Sequence, residues 1–222
     1  VIKRILVGCL AALAFSTQAA PISFFNVELN ADAIALSDGA PGIGSQSSPP
    51  GAAPVIATAA SIGTADIATA GAIADTGLLN ASADVTGTGA GVSSAVGAAR
   101  FFGSFVNGGW LILNLGLDPF EAVTGSGLSG VSLFARLTSG GVTLFEDIIT
   151  ASRTLDYYLT PGTVGTLELL LTSEASVGLG GANAGSAFAS GLVTLVGTVP
   201  EPGTWLLFML GAGTMLLVRR RA

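Results

Sequence analysis

Apolar and polar residues alternate with a period of two along much of the second half of the chain. Over residues 110–117, Leu111, Leu113, Leu115 and Leu117 fall on one side of an extended backbone. Val131, Leu133, Ala135 and Leu137 alternate with Ser132, Phe134, Arg136 and Thr138, and Leu167, Leu169 and Leu171 alternate with Thr166, Glu168, Leu170 and Thr172. Successive side chains of a strand point to opposite faces, so this spacing predicts strands buried on one side. Residues 22–29 predict a first strand. Asn107-Gly108 separates two such runs, 101–106 and 110–117, and both residues tolerate positive φ, which predicts a hairpin. Ser139-Gly140-Gly141 and Pro161-Gly162 predict further turns. Short strands punctuated in this way point to an all-β fold, an antiparallel β-sandwich or jelly roll.

The first half is less sharply patterned. Residues 39–54 hold four prolines among serines and glycines and read as a loop or linker. No aromatic residue occurs over 31–100, where Ala, Gly, Thr, Ser, Ile and Val dominate. Thin strands packed through small side chains and a low-complexity disordered chain both fit. Branched residues keep returning over 62–85, which favours strands. Asp118 and Glu121 flank Pro119-Phe120 and read as a loop.

The two ends follow a different pattern. Lys3-Arg4 precede an apolar run over 5–15, and Ser16-Thr17-Gln18-Ala19 follows it. A charged start, a short apolar stretch and small residues make a secretory leader, cut between Ala19 and Ala20. The run is far short of the ~20 residues that span a bilayer. Leu6-Val7-Gly8-Cys9 resembles a lipoprotein box, but the four residues between Arg4 and Cys9 are too few for an apolar region, and the run continues past the cysteine.

At the other end, Val199-Pro200-Glu201-Pro202 leads into an uncharged run over 203–218 and then Arg219, Arg220 and Arg221. The prolines break the backbone just before the run, and Thr204 can cap a helix there. Fifteen helical residues rise about 22 Å, short of the ~30 Å hydrocarbon core, a gap that snorkelling arginines and local thinning cover. The arginines hold that end in the cytoplasm. The expected organisation is a leader (1–19), an exported β-rich body (20–197) and a C-terminal segment (198–222) with one transmembrane helix.

This ordered triplet of Pro-Glu-Pro, apolar span and basic end resembles the PEP-CTERM sorting signal. The resemblance implies that an exosortase, a polytopic membrane protease, recognises Pro200, Glu201 and Pro202 at the membrane surface, with Arg219, Arg220 and Arg221 as stop and orientation signal. It also implies a Gram-negative source and a role in exopolysaccharide or biofilm. The other expected partners are the Sec translocon, signal peptidase and the inner membrane.

Charge narrows the alternatives. Residues 20–200 carry 13 acids against 3 arginines, a net of −10. Such a surface repels phosphate backbones and argues against nucleic acid. The chain has no histidine, and its one cysteine, Cys9, lies in the leader, so the body has neither a thiolate nor an imidazole for catalysis or metal binding. Gly125-Ser126-Gly127-Leu128-Ser129-Gly130 matches a dinucleotide fingerprint, but a strand is predicted where the helix should open. Glu146-Asp147 would point to opposite faces of a strand, and Asp118 with Glu121 lacks the alternating acids of a calcium loop. No cofactor or metal is expected. Trp110, Tyr157 and Tyr158 could stack on sugar rings. Tyr157 and Tyr158 face opposite ways on a strand, so one of them belongs inside. The expectation is a non-catalytic surface or matrix protein. The alternatives are an exported hydrolase with paired carboxylates, an anchored structural protein that is never cleaved, and a lipoprotein.

Overall fold

A computed structural model describes residues 20–199 except 39, 49–53, 64–65, 88–91, 107–108, 161 and 179–184. The leader with Ala19, the motif Pro200, Glu201 and Pro202, the expected transmembrane helix and Arg219, Arg220 and Arg221 lie outside the described residues. The strands are β1 (Ala20–Pro21), β2 (Phe24–Leu36), β3 (Gly42–Ser48), β4 (Val55–Ile62), β5 (Asp66–Asp75), β6 (Leu78–Gly87) and β7 (Ser93–Val106). They continue with β8 (Trp110–Thr124), β9 (Gly127–Ser139), β10 (Val142–Ile149), β11 (Arg153–Tyr158), β12 (Val164–Val177) and β13 (Gly185–Val199).

All pairings are antiparallel and build two sheets that pack face to face. One runs β11-β8-β13-β6-β5-β4, and the other runs β10-β9-β12-β7-β2-β3. From β6 onward the pairs are nested: β6 with β13, β7 with β12, β8 with β11, β9 with β10. This is one long hairpin rolled up on itself, the eight-strand jelly roll. Strands β5 and β4 extend one sheet, and β2 and β3 extend the other. The predicted strands of the second half face as their alternation requires. Leu111, Leu113, Leu115, Leu133, Leu137, Leu167, Leu169 and Leu171 are all buried.

Three expectations are corrected. The runs 101–106 and 110–117 do not pair as a hairpin, because β7 and β8 belong to different sheets, and Asn107-Gly108 itself lies outside the described residues. Each strand satisfies its backbone with partners far away in sequence, β7 with β12 and β2 and β8 with β13 and β11. The stretch 39–54 is not all loop, because it contains β3. Its glycines are used for close approach. A Cβ on Gly42 or Gly44 would lie 2.2 Å from the carbonyl oxygen of Ala60 or Thr58, so only glycine lets β3 lie against β4. Asp118 and Glu121 lie within β8, not in a loop. β11 pairs with β8 only as far as Leu115, so beyond that point β8 is an edge where the missing N–H of Pro119 is tolerated.

The core changes character along the sandwich. Alanines fill it where β2, β4, β5, β6 and the start of β7 meet, among them Ala31, Ala33, Ala72, Ala83 and Ala99. Leucines and phenylalanines fill it between β8, β9, β12 and the end of β7. At that end Phe24 packs edge-on against Phe101 and Phe105, with ring centroids 5.1 and 5.8 Å apart. Both open sides of the sandwich are bridged. The amide of Ile56 in β4 donates to Gln46 Oε1 in β3 at 2.8 Å. Across the other side, Arg153 of β11 pairs with Asp147 of β10 at 3.1 Å and lies over the Phe145 ring. Such contacts blunt edges that would otherwise pair with another chain.

Candidate functional site

The two ends of the body meet at one place. Ala20 pairs with Val199 and Pro21 with Thr198, while Thr198 pairs on its other side with Ile112. β1 therefore continues the line of β6 beside β13, and residues 20 and 199 leave the sheet side by side. The expected leader cut between Ala19 and Ala20 and the motif Pro200-Glu201-Pro202 thus adjoin neighbouring strands. Nothing in the local sequence announces this pairing, because two residues are too few to show an alternation.

Two residues beyond Ile112 along β8 stands Trp110, paired in register with Tyr158 of β11. Their rings meet edge to face with centroids 5.6 Å apart, and both side chains are exposed. The Leu159 amide donates to the Gly109 carbonyl at 2.8 Å and fixes the strand ends behind the pair. Tyr157 is half-buried and packs on the core. The alternation within Tyr157-Tyr158 thus places one ring inside and one outside, as expected.

Glu146 and Asp147 are exposed neighbours on β10. Among the described residues no group of three acids or other metal-ligating side chains is placed to hold an ion. Gly125-Ser126 is a turn between β8 and β9, with Gly125 at φ 62°, so no helix follows this glycine-rich run.

The sequence did not disclose one charged cluster, on the outer face of the second sheet. Glu168 of β12 is 9% exposed and accepts from Arg100 Nε at 3.0 Å, from Arg100 Nη2 and from Arg136 Nη2. One carboxylate thereby joins β7, β12 and β9 and holds two of the body's three arginines. Glu168 and Arg136 were visible as outward positions of alternating strands, but their adjacency depends on which strands are neighbours. Phe102 lies opposite Glu168 in the register and Phe134 opposite Leu170.

Residues 198–222 match the family model of the PEP-CTERM protein-sorting motif. This motif supports an exported protein sorted through its C-terminal segment and implies exosortase as the processing partner. No curated protein matches the chain. The matched segment begins at Thr198, within the last two residues of β13, so the motif follows the sandwich without a linker.

Proposed function

We propose that the sandwich is a non-catalytic surface or extracellular-matrix component, held at the inner membrane by its tail until exosortase cuts near Pro200-Glu201-Pro202. The observation that carries this reading is the sorting motif attached directly to the central strand β13. Folding of the body places Val199, the residue before the motif, beside the N-terminal strand. A non-catalytic body fits the lack of histidine and the scattered acids. Exopolysaccharide is the ligand class we assign to it after release, with Trp110 and Tyr158 as the exposed rings that meet sugars.

Mass spectrometry of the exported chain tests the processing step. In cells holding exosortase the mature C-terminus is expected to lack Arg219, Arg220 and Arg221, and in cells without it the tail stays intact. An intact tail on the exported form in exosortase-positive cells overturns the reading. Binding of the released body to the producing strain's polysaccharide, lost on Trp110→Ala, tests the ligand class. Turnover of that polysaccharide would overturn the non-catalytic assignment.

A further inference from the structure

The end of the sandwich that carries residues 20 and 199 is poor in charge. Among its described residues, 20–27, 101–106, 109–117, 137–145, 157–160 and 162–167 hold no Asp, Glu, Lys or Arg, and the nearest charge is the exposed Asp156, which pairs with Ile112 in the row of Thr198. At the same end, Phe25, Val106, Trp110, Val142, Tyr158 and Val164 are between 41% and 62% exposed. Their registers place them together. Val106 pairs with Val164, Val142 with Ser139 beside Gly165, Trp110 with Tyr158, and Phe25 with Ser104. The opposite end is acidic, with Asp38, Asp84, Glu121 and Glu174 all exposed there. The body is thus polarised along its strands.

Chain length fixes what this charge-poor end faces. Four residues, 200–203, separate Val199 from the start of the apolar tail at Thr204. Fully extended, the five steps from Val199 to Thr204 reach no more than about 18 Å. A body tied so closely to a membrane segment cannot turn this end away from the bilayer. Tryptophan and tyrosine suit the headgroup level, where one part of the ring is apolar and another wet. Charged groups would lose hydration there, and the described rim carries none beyond Asp156, one row in from Val199.

From these observations we infer that this charge-poor end, with the Trp110–Tyr158 pair on its β8–β11 side, lies in the headgroup region of the bilayer while the tail is in place. This rests on the tail acting as a membrane anchor. The contact sets the height and tilt of the body and so holds Pro200-Glu201-Pro202 at the surface where exosortase acts. The occupant is the lipid interface itself, and cleavage frees the same pair for sugar.

Bromolipid quenching tests it on the exported chain, residues 20–222, in phosphatidylethanolamine–phosphatidylglycerol vesicles whose acyl chains are brominated near the headgroup. Trp110 and Trp205 are the two tryptophans of the chain. With Trp205→Phe, Trp110 emission is expected to fall by about a third or more relative to unbrominated vesicles. With Trp110→Phe, Trp205 reports the tail alone. Val142→Asp with Val164→Asp, at exposed positions, is expected to remove at least half of the Trp110 quenching and leave that of Trp205 unchanged. Quenching of Trp205 without quenching of Trp110 overturns the contact and leaves the anchor standing. Quenching of neither overturns both. Trp110 quenching unaffected by the two aspartates overturns the assignment of this face.

Discussion

A Cβ on Gly97 would lie 2.4 Å from the Gly71 carbonyl oxygen and 2.5 Å from that of Ser82. Both oxygens belong to backbone of the facing sheet, which cannot step aside as the tip of a side chain can. The alanine-filled part of the sandwich is thin because this position on β7 carries no side chain. Gly97→Val forces the sheets apart and is expected to lower stability by about 2–4 kcal/mol, as for other overpacked cores. Gly130, on β9, has nothing within 4 Å of the same constructed atom. There an alanine mainly restricts the unfolded chain, and Gly130→Ala is expected to be neutral or to add about 0.5 kcal/mol. Denaturant unfolding of the two variants checks the contrast, and equal effects would show that the sheets are not in such close contact. Glycine counts alone could not separate these two positions, since the difference lies in what stands across from each.

Strands are legible where large apolar residues alternate with polar ones, as in β8, β9 and β12. In β4 and β5 the same alternation is carried by alanine and threonine, and the buried positions are Ala57, Ala59, Ala68, Ala70 and Ala72. Small residues give a weak contrast between faces, so the sequence supports strands there without fixing their edges. β3 is hidden because its glycines and serines are also loop residues, and β8 beyond Leu117 is hidden by Pro119. The two halves of the core should also respond differently to truncation. Leu169→Ala removes a large buried side chain among leucines and is expected to cost about 3 kcal/mol, within the range for such cavities. Ala83→Gly removes one methyl from the thin half and is expected to cost about 1 kcal/mol, mostly through backbone freedom. Thermal unfolding of both checks this. An equal loss would mean that the leucine half can collapse around the space left.

Nested pairing makes most contacts among the described residues long-range: β6 pairs with β13, about a hundred residues later in the chain. Loop closure precedes most of the reward, so refolding is expected on the millisecond-to-second scale typical of β-sandwiches or slower, measurable by tryptophan fluorescence after dilution from denaturant. Microsecond refolding would contradict the nested order. The same non-locality explains why a jelly roll could be anticipated as a class while its strand neighbours, and with them the Arg100–Glu168–Arg136 cluster, could not. The sorting signal is legible for the opposite reason: it is a local, ordered code within 25 residues. The role of the body is not written that way, because a binding face is made by neighbours that only folding supplies.

With Ala20 hydrogen-bonded beside Val199, the sandwich is nearly a closed ring of chain whose seam opens toward the membrane. A short splice across that seam, with a new opening between β12 and β13 at the far rim, would yield a circular permutant that keeps every strand pair. Cargo fused at such an opening would project outward from the cell, whereas cargo fused at either native terminus would be pressed against the lipid.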